Sequence, residues 1–362
     1  MTRRFSIGRH PLAPDAPPLF FAEIGSYFNG DVDLATGMIK SILAAQLQVP
    51  EQPLALKTEI LNDPEICLPG DTTETYAAKD GRTRQENYRT LIERKVVPLE
   101  AYARLFKLAT DANVPLVVSI YDFVATDFAA AHGAAALKIP SSNLVHIPLI
   151  RHAAAKGLPL VIDTGRSTIG EVHRAVSTAR AAGCEDIVIQ HSPDGHPALP
   201  KAHNLRILQT YLNTFGVPVG LSDHHVGLEA LYLSIALGAT VLEKGVHVAA
   251  DELDQDISHS AALDDLPRIL RSVYESWRAM GKPARDPKAK IDGVIGTSQR
   301  QCVVAKHDLK PGSVVSFDTV RFAFPCKGIP VEYWDLVAGW TITSPVAAGT
   351  PVQWHNVQQR PS

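Results

Sequence analysis

From residue 19 to residue 247 the chain repeats one pattern: a short run of apolar or β-branched residues ending in polar ones, then a longer segment with apolar positions at helical spacing. The short runs are LFFAEIG (19–25), LALKTE (54–59), PLVVSIYD (115–122), AALKIPSS (135–142), LPLVIDTG (158–165), DIVIQHS (186–192), VPVGLSDHH (217–225) and ATVLEKGVH (239–247). Between them lie amphipathic segments such as VDLATGMIKSILAAQ, LEAYARLFKLATDA, NLVHIPLIRHAAAKG, TIGEVHRAVSTARAAG and GLEALYLSIALG, several closed by Gly or Asn as helices often are. Eight alternations of strand and helix predict an α/β fold of the (β/α)8 TIM-barrel type. A doubly wound open sheet is the alternative, but no GxGxxG follows the first strand.

In such a barrel the C-terminal strand ends meet at one mouth, where barrel enzymes carry their chemistry. Those ends hold Glu23, Lys57 with Glu59, Ser119 with Asp122, Lys138 with Ser141, Asp163 with Thr164, His191, Ser222 with Asp223 and His224, and Glu243 with Lys244 and His247. This ring is polar and suits binding, not packing. The segment 60–98 is too long for an ordinary strand-to-helix loop and predicts an ordered excursion or lid over the mouth.

The pattern changes at GKPARDPKAKIDGVIGTS (281–298), rich in Pro, Lys and Gly. The expected organisation is a barrel domain over 1–280, a linker over 281–298 and a small β-rich domain over 299–362.

Bulk properties narrow the function. The 362 residues are 45% hydrophobic and 20% charged, which suits a globular chain with one large and one smaller domain. A net charge of −3 offers no basic field for nucleic acid or an anionic membrane, so a small-molecule substrate is expected. The four cysteines, at 67, 184, 302 and 326, form no CxxC pair and fit a reducing cytoplasm. No signal-peptide core and no long apolar span are present, so the expected protein is soluble and cytoplasmic.

Lys57 and Lys138, with the hydroxyls of Ser119, Ser141 and Ser222, form a donor set suited to a phosphate. A strand-end lysine alone more simply points to water. His224 and His225 follow Asp223, and His247 follows Glu243 on the neighbouring strand, so imidazoles from adjacent strand ends could hold a divalent ion such as Mn²⁺ or Mg²⁺ as a Lewis acid.

AEIGSYFNGD, LKTE, LKIPSS, DTGRSTIGEV, LSDHHVGLEA and ALGATVLEK, in this order, resemble the sialic acid synthase family, the phosphoenolpyruvate-dependent N-acetylneuraminate and related nonulosonate synthases. CVVAKHDLKPGSVVSFDTV resembles the small antifreeze-like (SAF) domain that these enzymes append. The resemblance implies that phosphoenolpyruvate is held by Lys57, Ser119, Lys138, Ser141 and Ser222 near Thr164 and Gly165, with Asp163 in place of the usual serine. It implies that Glu23 steers water and protons. On the acceptor side the chain departs from the family: Asn143 stands for a glutamate, Gly195 and His196 occupy the loop that usually carries Asn and Tyr, Ser258 replaces an aspartate, and Phe324 takes the place of an arginine that reaches a neighbouring subunit.

The implied metal pair is also altered. His224 matches one ligand, but Gly245 occupies the position of the second. Glu243, Gly245 and His247 share a strand face, so His247 is the same-face replacement the sequence offers. The expected activity is condensation of phosphoenolpyruvate with an aldehyde-bearing acceptor other than N-acetylmannosamine, giving a 2-keto-3-deoxy acid and phosphate. The alternatives are a pyruvate aldolase using Lys57, Lys138 or Lys244 as a Schiff base, and a catalytically silent phosphoenolpyruvate-binding homologue. The resemblance also implies a homodimer in which the small domain covers the partner's barrel.

Overall fold

The computed structural model describes residues 3–249, 254–282 and 299–359. It divides into two compact units, Met1–Gly281 and Lys282–Ser362. Of the expected linker, 283–298 lies outside the described residues.

In the first unit, parallel strands β1 (Leu19–Gly25), β2 (Leu54–Ile60), β3 (Leu116–Ile120), β4 (Ala136–Ile139), β5 (Leu160–Asp163), β6 (Ile187–His191), β7 (Val219–Asp223) and β8 (Ala239–His247) pair in chain order. β8 then pairs back with β1, joining Lys244 to Ala22 and Gly245 to Glu23, so the sheet closes as the TIM barrel expected from the pattern. The helices on the outside are α1 (Val32–Leu47), α2 (Leu99–Asp111), α3 (Phe123–Ala131), α4 (Ile147–Ala154), α5 (Ile169–Ala181), α6 (Ile207–Phe215), α7 (Glu229–Ala236) and α8 (Leu266–Met280).

Local chemistry starts and stops these helices. The Asp31 carboxylate accepts from the amides of Asp33 and Leu34 at the start of α1, Asp122 caps α3, and Thr168 with Glu171 forms a capping box at α5. Asp122, one of the strand-end polar residues, is thus committed to a helix N-terminus. Gly216 ends α6 with φ of 65°, a left-handed conformation that glycine adopts without a Cβ penalty.

Period-two alternation builds the barrel interior in layers. Phe21, Ala55, Val117, Ala136, Val161, Val188 and Val241 pack together inside its lower part. Two residues further along the same strands, Glu23, Lys57, Ser119, Lys138, Asp163, Gln190 and Glu243 occupy the layer above. The alternate strand faces, including Phe20, Leu56, Val118, Leu137, Ile162 and Leu242, pack in the main core with helix residues such as Ile39, Phe106 and Val176. Each such side chain contributes roughly 1.5–3 kcal/mol of burial, which fixes the strand register and therefore the height of the polar layer.

The long segment after β2 is an ordered excursion. It contains a short 3-10 turn (Pro64–Ile66), an antiparallel hairpin (Thr73–Ala77 with Thr83–Asn87) and a helix (Tyr88–Lys95). The buried Lys95 to Asp254 pair, at 2.6 Å, ties it to the segment after β8, and Lys79 Nζ donates to the carbonyl of Ser260.

The second unit is small and β-rich. Cys302–Ala305 pairs antiparallel with Val320–Ala323, and Thr341–Ile342 with Val357–Gln358, around a core containing Val303, Val315, Ile329, Ile342 and Val352. Among the described residues all four cysteines are free, and no helix is long and apolar enough to cross a membrane.

Candidate active site

The barrel mouth opens into a cavity of about 640 Å³. Its floor is the polar layer. Lys57 Nζ lies against Glu23, 3.2 Å from Glu59 Oε1 and 3.8 Å from Glu243 Oε1. Lys138 Nζ is 2.7 Å from Glu243 Oε1, 3.0 Å from Asp163 Oδ2 and 3.4 Å from Ser222 Oγ. Gln190 Nε2 donates to Glu243 Oε2 at 3.2 Å, completing the ring from the opposite wall.

Two ammoniums thus face four carboxylates, and the balance sets their protonation. Burial alone would lower the lysines, but Glu23, Glu59 and Glu243 hold Lys57 well above its ordinary value, and Glu243 and Asp163 raise Lys138. Burial would raise Glu243, but Lys138 and Lys57 outweigh it and hold the carboxyl at about 2. At Glu23 burial prevails over Lys57 and, with Glu243 adding to it, pushes the carboxyl up to about 7. Glu23 is therefore the floor carboxylate that can take or give a proton near neutrality.

Lys244 and Asp223 stand apart from this floor. Lys244 alternates to the outer strand face, where its ammonium is 2.9 Å from Asp223 Oδ2 and reaches the carbonyls of His225 and Gly227. That fully buried pair pins the loop after β7.

Of the residues singled out from the sequence, Glu23, Lys57, Lys138, Ser141, Asn143, His196, Ser222 and His224 line the cavity. Ser119 is buried beneath it with an Oγ that has no hydrogen-bond partner among the described residues. Thr164 donates to the Gln190 carbonyl and Ser258 to that of Gln255, so neither lines the cavity. Phe324 belongs to the second unit, where it is 63% exposed beside Arg300, Pro330 and Glu332.

Gly245 has a definite neighbour. A Cβ there would lie 2.4 Å from the Tyr27 hydroxyl, which donates to Glu23 Oε2 at 3.2 Å. The tyrosine phenol fills the space that a side chain at 245 would need. His247 does not replace it: its Nδ1 is 2.7 Å from Ser260 Oγ, and it does not line the cavity that His224 lines. The expected pairing of His224 with His247 is not the one the cavity presents, because the strand carries His247 two pleat repeats beyond Glu243 of the polar layer.

His224 instead meets His196, from the loop after β6, and His259, from the segment after β8. A ring nitrogen from each of the three lies within 4.8 Å of those of the other two. The ring centroids of His196 and His259 are 4.5 Å from that of His224 in each case. Burial, with His196 adding to it, lowers His224 to about 3, and burial with His224 holds His259 well below its ordinary value. Asp256 Oδ1 lies 2.8 Å from His196 Nδ1; burial works to lower His196, but Asp256 outweighs it and raises this imidazole. Tyr27 and His259 are the residues that strand-end reasoning missed. One sits four residues past Glu23 in a turn, the other just past a 3-10 turn after the last barrel strand, where no periodicity points at the cavity.

The comparisons with known proteins agree with this architecture. Residues 55–285, well over half of the chain, match the model of the NeuB family. The chain belongs to the NeuB family. Residues 300–358 of this NeuB-family chain match the SAF domain. Its relatives include the N,N'-diacetyllegionaminic acid synthase of Legionella pneumophila, 24% identical over 97% of this chain and 98% of that protein. The N-acetylneuraminate-9-phosphate synthase of Homo sapiens is 26% identical over 90% of this chain and 87% of its own length. Among solved structures, a putative spore coat polysaccharide biosynthesis protein E from Chromobacterium violaceum superimposes with a TM-score of 0.71 at 22% identity, covering 94% of this chain and 99% of that one. At that identity the likeness speaks for the fold.

A metal is implied by the resemblance, and the donor set fits one. Three imidazoles converge at the cavity, and the Nδ1 atom of His224 has no hydrogen-bond partner among the described residues. The fit runs through His196, His224 and His259, not through position 245 or 247.

Proposed function

We propose that this protein is a phosphoenolpyruvate-dependent condensing synthase that joins C3 of phosphoenolpyruvate to the aldehyde carbon of a sugar or sugar-like acceptor, releasing phosphate and a 2-keto-3-deoxy acid. The observation that carries it is the pair of buried, protonated lysines, Lys57 and Lys138, set beside Ser222 at the floor of one cavity in a NeuB-family barrel. Relatives named as legionaminate and N-acetylneuraminate-9-phosphate synthases support the substrate class.

Lys57 and Lys138 bind the phosphate and carboxylate of phosphoenolpyruvate by exchanging their present carboxylate partners for substrate oxygens. Such an exchange leaves carboxylates uncovered, and Glu23, already poised near neutrality, takes up a proton as the anion enters. Protonated Glu23, oriented by Tyr27, then donates its proton to the oxyanion that develops on the aldehyde, and the carboxylate so formed accepts a proton from the water that adds at C2. A metal bound at the imidazoles would polarise the acceptor aldehyde. Ser141 holds the substrate edge nearest β4.

The acceptor end supports the departure from N-acetylmannosamine. Asn143 is turned to the carbonyl of Tyr121 at 3.4 Å, His196 is engaged by Asp256, and Leu61, Ile66, Leu91, Ile92 and Phe123 add apolar wall. The acceptor in this reading is less polar than N-acetylmannosamine. The same reading takes the chain to work in the cytoplasm as a homodimer, with Phe324 offering apolar contact to the partner.

The Schiff-base reading is disfavoured by charge. Imine formation needs a neutral amine, and the carboxylates hold Lys57 and Lys138 protonated. The test is phosphate release from phosphoenolpyruvate across a panel of aldoses. Release with another aldose in preference to N-acetylmannosamine is expected, and preference for N-acetylmannosamine would sink the acceptor assignment. Calorimetric binding of phosphoenolpyruvate with no turnover on any aldehyde would point to the silent homologue, and borohydride trapping of pyruvate to the aldolase.

A further inference from the structure

We infer that His196, His224 and His259 form a three-imidazole metal centre, selective for a borderline transition ion such as Zn²⁺, Co²⁺ or Fe²⁺ over Mg²⁺, with an open coordination position toward the cavity. It lies in the cavity assigned to the proposed reaction but is read from the side chains alone, so its test needs no substrate.

Four observations carry it. The three rings come from different parts of the chain, the loop after β6, the end of β7 and the 3-10 turn Asp256–Ser258 with its following residue, and they still bring one nitrogen each within 4.8 Å of the others. Among the described residues His224 and His259 have no strong hydrogen-bond partner: the hydroxyls of Ser192 and Ser258 stand at 3.5 Å. Asp256 lies 2.8 Å from His196 Nδ1, the carboxylate–imidazole arrangement that orients metal-bound histidines and raises their basicity. β8 offers no ligand at position 245, where Gly245 leaves the space to the Tyr27 phenol.

Chemistry selects the ion. Mg²⁺ prefers oxygen ligands and keeps its waters, whereas imidazole suits Zn, Co, Fe and Ni. Three nitrogens on one Zn²⁺, each at about 2.0–2.1 Å, stand roughly 3.4 Å apart in a tetrahedral shell. From a present spacing of up to 4.8 Å, the rings therefore close by as much as about 1.4 Å as the ion enters, through ring rotation and shifts of the two connecting segments. Three protein ligands leave the remaining position for water or a substrate oxygen, as in catalytic and not structural sites.

The experiment is titration of the full-length, chelator-treated protein with Co²⁺ alone, read by visible ligand-field absorption and by calorimetry, with Mg²⁺ as competitor. One Co²⁺ per chain is expected, with a spectrum of low coordination number that a large excess of Mg²⁺ leaves in place. His196→Ala, His224→Ala and His259→Ala should each abolish or recast that spectrum, and Asp256→Asn should weaken binding about tenfold. His247→Ala and His225→Ala should retain it, and thermal melts without metal confirm that each variant is folded. An octahedral spectrum displaced by Mg²⁺, or bands lost in His247→Ala but kept in His196→Ala and His259→Ala, would overturn the inference. Because the readout is ion binding, failure here leaves phosphate release from phosphoenolpyruvate to be judged on its own.

Discussion

The floor of the cavity and its imidazole rim are both buried and polar, but they are built in opposite ways. On the floor, Lys57 and Lys138 are each held by two or more carboxylates, every group projects from a barrel strand, and the ion pairs balance one another. At the rim, three imidazoles gather with one nearby carboxylate on His196, and two of the three come from connecting segments. A charge-balanced floor is costly to disturb and preorganised for an anion. A rim with uncommitted nitrogens is inexpensive to alter in the fold and open to a ligand.

The strongest way to break the comparison is Lys138→Met. It leaves Glu243 and Asp163 buried with less compensation, so a loss of about 3–5 kcal/mol in unfolding free energy and of measurable phosphate release is expected. A variant of wild-type stability in denaturant titration would show that the floor is not charge-balanced as described.

Gly245→Ala comes next. Its new Cβ meets the Tyr27 hydroxyl, so a cost of about 1–3 kcal/mol is expected by thermal or chemical unfolding. Adding Tyr27→Phe should recover part of it. Absence of any coupling in the double-mutant cycle would refute the packing of Tyr27 against Gly245.

Glu23 sharpens the contrast through pH. Its carboxyl is raised to about 7, so it is neutral below that value and anionic above it. Affinity for phosphoenolpyruvate should therefore fall as pH rises through 7, by at most about tenfold per unit, and the dependence should flatten in Glu23→Gln. A raised carboxyl binds more protons in the folded than in the unfolded chain between its ordinary value and 7. The wild-type protein should accordingly lose stability over that window as pH rises, and Glu23→Gln should lose less. Isothermal calorimetry and melts at stepped pH check both.

The smallest effect belongs to Phe324→Ala. An exposed side chain should cost no more than about 0.5 kcal/mol, while sedimentation should show weaker self-association if this ring contacts a partner subunit.

The positions easiest to read in the sequence were those governed by strand periodicity. LFFAEIG and ATVLEKGVH coincide with β1 and β8 at Leu19–Gly25 and Ala239–His247, and the same alternation placed Lys57, Lys138 and Glu243 in one inward layer. It failed where alternation says which face a side chain shares but not what reaches that face from elsewhere. His247 shares its strand face with Gly245, yet it bonds Ser260, while Tyr27 arrives from the turn after β1 and fills the gap. Lys244, counted at the mouth, is directed outward to Asp223 by the same alternation.

What the sequence determined by itself is the barrel, the small β-rich unit and the lysine–carboxylate layer, because strand period and burial are local rules repeated along the chain. The tertiary structure alone decided the company His224 keeps. His196, His224 and His259 are separated by long stretches of chain and converge only because the closed barrel turns each strand end toward the same axis, and no local pattern encodes that meeting.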